Sequence, residues 1–319
     1  MAAELSRRTA TTQARITSMR TLMAVSALAL GLFGAAAAPA QAERAWLAPN
    51  DKIIIDYVEP RHPIYAYGLS PDDPEQQADY KKLDAQFQRY SLIYERMRRL
   101  NLLEEFSVFL APLRLPIPLR LKTEQCGQAN AFYNPTESSI TLCYEYIAQI
   151  EDRAPTTTTR EGVTRRDAIV GQIVGTMLHE AGHAVSNLLQ LPVLGREEDT
   201  ADQIAAFVML QFGGDVARTL IKGEAYGWNQ SERRSLPMYW DVHSTALQRQ
   251  HTYLCLAYGR DPQTFEDFIN FGWLPRSRAD NCAQEYKQVE QAFRLTVLPH
   301  VDRDLMKRVQ NRPWLPGPN

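Results

Sequence analysis

The sequence predicts an α+β fold that is rich in helix and carries a small antiparallel sheet beside one long helix. Apolar residues recur at helical spacing through the second half, and strand-like stretches occur only before the midpoint. A polar break at residues 152–166 separates the two parts. With 319 residues, 45% of them hydrophobic, the chain can bury the core of one large or two small domains.

The first half predicts short strands and one amphipathic helix. Residues 76–112 have helical periodicity, with Leu92 and Leu100 on the predicted apolar stripe. Residues 59–73 are rich in Pro, Asp and Tyr, which is typical of a loop. Strands are predicted at residues 52–58, 129–133 and 139–143, the last two joined by a turn at 134–137.

The second half is predicted to be helical. A long helix runs from about residue 167 to residue 191, where Pro192 ends it. A second helix follows over residues 197–212 and stops at a pair of glycines. Further helices are predicted at residues 215–223, 241–258, 262–271 and 279–298.

The N-terminus predicts a signal peptide over residues 1–42. A basic region precedes an apolar stretch at residues 22–33, and Ala40-Gln41-Ala42 matches the small residues that a signal peptidase reads. A membrane anchor is the alternative, but the stretch is too short to span a bilayer. We therefore expect a periplasmic or secreted bacterial protein with a Sec-type signal and no stable anchor after cleavage. The rest divides into an extension at 43–75, a main domain at 76–300 and a tail at 301–319.

The four cysteines predict two disulfide bonds, because an even number in an exported chain is typical of disulfides. Pairing Cys126 with Cys143 and Cys255 with Cys282 is favoured, since each pair flanks a short segment. No CxxC spacing supports a cysteine metal site instead. The net charge is -2 and the basic residues are scattered, so the sequence gives no indication of nucleic-acid binding.

The pattern His179-Glu180-Ala-Gly-His183 lies inside the long predicted helix. Histidines four residues apart share one helical face and can bind a single Zn²⁺. Glu180 then lies beside the metal, where its carboxylate can take a proton from the attacking water. The pattern could arise by chance, but two unpaired histidines and a glutamate on a buried helix would be costly.

A catalytic zinc needs a third protein ligand. The acidic cluster at the start of the next predicted helix supplies candidates, and Glu198 is the predicted ligand. Asp202 lies one turn later on the same face, where it can hydrogen-bond the free nitrogen of His179. Acidic residues also favour the first turn of any helix, and Glu197 or Asp199 stays an alternative ligand.

These residues resemble the HExxH…ExxxD signature of gluzincin metallopeptidases, the thermolysin-like group. Residues 130–134, Asn-Ala-Phe-Tyr-Asn, resemble the edge strand along which those enzymes bind substrate. The phrases CGQANAFYNP, LHEAGHA and LPVLGREEDTADQ resemble more closely a bacterial family described as metallopeptidases, a domain of unknown function. The resemblance implies a zincin-like fold with one Zn²⁺, an active-site helix, and Asn130 and Ala131 contacting a peptide or protein substrate.

Such sites also place a cationic or phenolic group over the developing oxyanion. His243 is the chosen residue, with Asp241 fixing its tautomer; Tyr239 and His251 are alternatives. Asp241 could instead only cap a helix, which would leave His243 a surface residue. Arg249 falls six residues later and could bind a substrate carbonyl or carboxylate.

The sequence thus predicts zinc-dependent peptide hydrolysis by an exported enzyme. Two alternatives stay open. A non-catalytic scaffold would close its zinc with four protein ligands, and a zinc amidase would act on a non-peptide or cell-wall amide in a cleft lined by aromatic platforms.

Overall fold

The computed structural model describes residues 52–232 and 238–314, which contain a four-stranded sheet and a helical layer. The strands are β1 (Ile53–Tyr57), β2 (Leu119–Glu124), β3 (Ala131–Asn134) and β4 (Ser139–Cys143). Their order is β1-β2-β4-β3; β2 pairs in parallel with both β1 and β4, and β3 pairs antiparallel with β4. The predicted antiparallel pairing is confirmed for β3 and β4. The sheet as a whole is mixed, because β2 pairs in parallel with both of its neighbours.

Helices make up most of the rest of the described chain, as predicted. The first four are α1 (Pro63–Tyr67), α2 (Gln77–Arg99), α3 (Leu102–Leu110) and α4 (Tyr144–Arg153). The others are α5 (Arg165–Leu188), α6 (Glu197–Met209), α7 (Gly214–Glu232), α8 (Ala246–Arg260), α9 (Asp267–Asn270), α10 (Arg276–Ala279), α11 (Cys282–Thr296) and α12 (Arg303–Gln310). Short 3₁₀ turns follow α6 and α11.

The main differences from prediction lie at element ends. Helix α1 lies in the predicted loop at 59–73, and α4 was not predicted. Leu92 is 70% exposed, because the buried face of α2 runs through its neighbours at i+1 and i+5, and Leu100 lies just past the end of that helix. Residues 1–42, the predicted signal peptide, lie outside the described residues.

The C-terminal segment is more ordered than a tail. Val301 pairs with Leu113 in an isolated bridge, and α12 follows. Val301 also joins Val185 of α5 and Leu189, the residue after α5, in a small apolar cluster. The chain beyond the predicted domain end at residue 300 therefore packs against the helix that carries the HExxH pattern.

Both predicted disulfides are confirmed. One joins Cys126 to Cys143 at the end of β4, and the other joins Cys255 of α8 to Cys282 of α11. Among the described helices, none is long and apolar enough to cross a membrane.

Helix α5 is the centre of the fold and packs most extensively against α6 and α7. It is buried on nearly all sides, which is typical of a helix inside a core. Its start is fixed by a capping box: the Thr164 hydroxyl accepts from Asp167 N at 3.0 Å, and the Asp167 carboxylate accepts from Thr164 N at 3.1 Å.

Replacing Thr164 with Ala is expected to lower the free energy of unfolding by about 1 kcal/mol, because the first turn of α5 loses its cap. Thr157→Ala, at an exposed position in the preceding loop, is the matched control and should change stability little. Urea denaturation of both variants measures the difference. Equal stability of the two variants would contradict a role for the capping box.

Candidate metal centre and active site

The two histidines of the HExxH pattern lie one turn apart on α5 and face the same point. The Nε2 atoms of His179 and His183 are 3.2 Å apart, and the rings meet edge to face with centroids separated by 4.8 Å. Helical geometry places residues i and i+4 above one another, so this arrangement follows from the spacing alone.

A carboxylate from the next helix completes the cluster. The Oε2 atom of Glu198 lies 3.1 Å from His179 Nε2 and 3.3 Å from His183 Nε2. Gly182 makes this approach possible, because a Cβ there would lie 2.9 Å from the Cα of Ala201 in α6. Any larger residue would push α6, and Glu198 with it, away from α5.

The outer nitrogen of each histidine is bound to a second carboxylate. The Nδ1 atom of His179 lies 2.8 Å from Asp202 Oδ1, and the Nδ1 atom of His183 lies 3.1 Å from Glu197 Oε1. A proton on each Nδ1 satisfies these contacts and leaves both Nε2 lone pairs aimed at Glu198. The Asp202 contact matches the prediction, whereas the contact of Glu197 with His183 was not foreseen.

The alternative ligands are turned elsewhere. Glu197 reaches the far side of His183, and the Asp199 carboxylate accepts a hydrogen bond from Ser244 at 2.6 Å. Of the three consecutive acids at the start of α6, only Glu198 meets both Nε2 atoms. The helical phase decides this, since neighbouring residues point about 100° apart.

The cluster has an excess of electron-pair donors. Burial opposes protonation of His183, but the carboxylates of Glu198 and Glu197 outweigh it and raise its pKa to about 9. Burial alone would raise the pKa of Glu198, yet the three histidines around it, His179, His183 and His243, donate to Glu198 when protonated and hold its pKa well below its usual range. The arrangement requires positive charge at its centre, from protons or from a metal ion.

The spacing fits a tetrahedral ion. Ligand atoms bound at about 2.0–2.1 Å in a tetrahedron lie roughly 3.3 Å from one another. The three distances among His179, His183 and Glu198 are 3.2, 3.1 and 3.3 Å. Two imidazoles and one carboxylate also form a donor set that suits zinc. The residues present therefore fit a zinc ion with a fourth position left over.

Glu180 lies beside this cluster rather than in it. Its side chain is buried at the wall of a cavity of about 220 Å³ that also reaches His179. Burial raises the pKa of Glu180, and the nearby His179 and His183 partly offset the effect when they carry charge. A carboxylate with a raised pKa next to a metal position can accept and return a proton.

The same cavity is bordered by strand β3, through Asn130 and Ala131. Cys143 N donates to Asn130 O, so alternate residues of β3, starting with Ala131, direct their main-chain groups away from β4. Strand β3 is at the end of the sheet order. Its outer edge therefore borders the cavity at Ala131.

His243 comes to the cluster from the segment before α8. Its Nε2 lies 3.0 Å from Glu198 Oε2, and its Nδ1 lies 2.8 Å from Asp241 Oδ1. The ring is partly exposed and lines the cavity. Tyr239, by contrast, is 81% exposed, and His251 contacts Leu247 O within its own helix; neither lines the cavity.

Arg249 is placed behind His179. Its guanidinium donates to both oxygens of Asp202 at 2.7 and 2.6 Å, and one nitrogen lies 3.1 Å from His179 Nδ1. Its other face covers the ring of Trp228 at 3.9 Å from the centroid. Arg249 borders the cavity, but its hydrogen bonds are directed at Asp202, which it holds against His179.

A second group of potential ligands consists of Cys126, Cys143 and Glu145. Its two sulfurs are joined in a disulfide, and the Glu145 carboxylate accepts from the main-chain N–H groups of Cys126 and Gly127. These contacts satisfy all three residues, so this group is structural.

Glu224 of α7 is a residue of this region that the sequence did not reveal. It is 3% exposed and lines the same cavity as Glu180. Burial raises its pKa from 4.5 to about 8, and the nearby charge of Arg249 only partly offsets this. Its only sequence signal is an acid among the apolar positions of a helix.

Since the pKa of Glu224 is raised on folding, the folded state binds its proton more tightly than the unfolded state does. Stability from this group is present below the unfolded pKa of 4.5 and is lost as pH rises towards 8. Glu224→Gln should therefore gain stability relative to wild type, on the order of a few kcal/mol, between pH 5 and pH 8. Thermal denaturation across this range measures it, with Glu75→Gln at an exposed site as control. A difference in stability between wild type and Glu224→Gln that stays constant at all pH values would contradict a raised pKa for the Glu224 carboxyl.

Comparison with known proteins gives one finding. The family model DUF4344, described as "Putative metallopeptidase", matches residues 80–296, which include the whole cluster. Searches of curated proteins and of solved structures found no match. The match covers more than half of the chain, and its limits enclose α5, α6 and the His243 segment. The chain therefore belongs to the DUF4344 family.

Proposed function

We propose that the protein is a zinc-dependent peptidase, with the metal held by His179, His183 and Glu198. The observation that carries this proposal is the mutual approach of their three ligand atoms to within 3.3 Å. When bound, zinc would supply a Lewis acid that polarises a carbonyl and lowers the pKa of water to about 7. Membership of a family described as metallopeptidases supports the same reaction class.

Glu180 is the proton carrier in this proposal. Its carboxylate takes a proton from the attacking water and later delivers it to the leaving amine. Its burial at the cavity wall supports this role, because a raised pKa makes the carboxylate a better base at neutral pH.

His243 acts on the oxyanion of the tetrahedral intermediate through its Nε2. Asp241 orients the ring twice, since its Oδ1 accepts from both the main-chain N–H and the Nδ1–H of His243 at 2.8 Å. The partial exposure of the ring also supports contact with substrate rather than a closed core position.

The substrate is an extended peptide lying along β3. The outward main-chain groups of Ala131 can add it to the sheet as a further strand, with the Asn130 side chain as an additional contact. Arg249 takes part indirectly by holding Asp202. The two disulfides support export to the periplasm or beyond, where thiols are oxidised.

Purified wild-type protein should contain about one zinc per chain and hydrolyse unfolded peptides. Glu180→Gln should keep the zinc, since Glu180 is not a ligand, and lose at least 10²-fold in kcat. Metal analysis and peptide hydrolysis measure the two effects, with Glu75→Gln as control. Equal activity of wild type and Glu180→Gln would contradict the role of Glu180 as the proton carrier.

A non-catalytic zinc scaffold is the first alternative, because His243, His179 and Glu198 also form a group able to hold a metal. His243→Ala separates the two. A peptidase should keep its zinc and lose kcat with little change in KM, since the lost contact forms in the transition state. Loss of zinc from this variant would instead indicate a site closed by four protein ligands.

The second alternative, an amidase acting on cell-wall material, has less support. A sugar-binding cleft needs exposed aromatic faces, and the ring of Trp228 in this cavity is covered by the guanidinium of Arg249. Tyr146 is also engaged, through a 3.0 Å hydrogen bond with Thr176.

A further inference from the structure

The cavity beside Glu180 extends past the metal cluster into the space between α4, α5 and α7. Glu224 lies on its inner wall, and Gly175 of α5 leaves room for its carboxylate, because a Cβ there would lie 2.5 Å from Glu224 Oε2. The carboxylate is thus placed at a gap in the surface of α5 and opens to the cavity.

In the described part of the chain, the Glu224 carboxylate has no ion-pair partner. The charge of Arg249 and the indole N–H of Trp228 both act on it, but the Trp228 N–H makes no hydrogen bond of normal distance and angle. A buried carboxylate without a partner is costly, and such groups concentrate at functional sites.

Several other polar groups on this wall already have partners. Tyr146 and Thr176 bond each other at 3.0 Å, and Gln172 donates to Ala168 O at 2.6 Å. The positive charge of Arg249 is engaged in its two hydrogen bonds to Asp202. Glu224 is therefore an acceptor on this wall that can bind a cationic ligand, whereas the unpartnered indole of Trp228 can only donate.

The wall between the cavity mouth and Glu224 suits a long aliphatic chain. The cavity lining includes the side chains of Ile150, Tyr146 and Trp228. Lysine and arginine carry such a chain with a cation at its end, and the apolar stem packs while the cation pairs. A cation beside Glu224 would also return the carboxylate to its ionised form.

We propose that this cavity is the specificity pocket of the enzyme and that Glu224 binds a lysine or arginine side chain next to the scissile bond. This inference rests on the proposed peptidase function, which supplies the bound peptide. The pocket opens beside Glu180 and the Ala131 main chain, so a residue of a peptide paired with β3 can enter it. Glu224 is a binding residue and takes no part in the proton transfers.

Binding to the Glu180→Gln protein tests the pocket without hydrolysis. The probes are capped pentapeptides that differ only in a central Lys, Arg, Gln or Glu, and calorimetry measures their Kd. The Lys and Arg peptides should bind at least tenfold more tightly than the Gln peptide. Adding Glu224→Gln should bring the Lys-to-Gln ratio close to one, whereas adding Glu75→Gln should leave the ratio unchanged.

Equal Kd values for the Lys and Gln peptides, or tighter binding of the Glu peptide, would overturn the inference. So would a Lys preference that survives Glu224→Gln. Gly175→Ala is a second variant, which should displace the carboxylate and weaken the preference without removing a charge.

Cleavage-site mapping on an unfolded protein separates this inference from the proposed function. Hydrolysis that depends on Glu180 but shows no preference for Lys or Arg beside the cleaved bond would contradict the pocket assignment and leave the peptidase proposal intact. If the protein hydrolyses no peptide but binds the Lys peptide through Glu224, the peptidase proposal is wrong and the cavity is a binding site for basic peptides. Cleavage beside Lys and Arg, lost in Glu224→Gln, is the expected result.

Discussion

The close contact between α5 and α6 is the constraint on which the site depends. Glu198 reaches both histidines only because Gly182 lets the backbone of α6 approach α5. The contact brings three electron-rich atoms together inside a folded core, which costs free energy unless positive charge is present. Helices α7 and α8, which belong to the same packed helical layer as α5, keep these three atoms close together despite their mutual electrostatic repulsion.

Around the contact between α5 and α6, basic and acidic side chains alternate with increasing distance from Glu198. The histidines are backed by Asp202 and Glu197, and Asp202 is backed by Arg249, whose guanidinium lies on an aromatic ring. Each layer orients the one inside it, so the ring positions are set by contacts two residues away from the metal position. Activity should then be sensitive to residues that never meet a substrate.

The sequence predicted what local periodicity determines. The spacing of His179 and His183 fixes their common face, and helical phase distinguishes Glu198 from the acids beside it. The antiparallel β3–β4 pair followed from the short turn that joins its strands. The parallel pairing of β2 with β1 and β4 could not be predicted, because it joins strands that no short turn connects. Glu224 was missed for a different reason: only the packing of α7 against α5 turns an unremarkable acid into a cavity wall. Tertiary neighbours, which no single segment encodes, supplied that information.

Strand β3 has one neighbour in the sheet, and this limits which polypeptides the proposed peptidase could bind along its free edge. A chain can pair along a free edge only if several consecutive residues are straight and have their amides available. Segments inside a native helix or an internal strand meet neither condition. The folded state of a substrate would thus decide first whether the proposed peptidase can cleave it. Damaged or unassembled polypeptides could bind, whereas intact folded proteins in the same compartment would not be cleaved, whatever their composition.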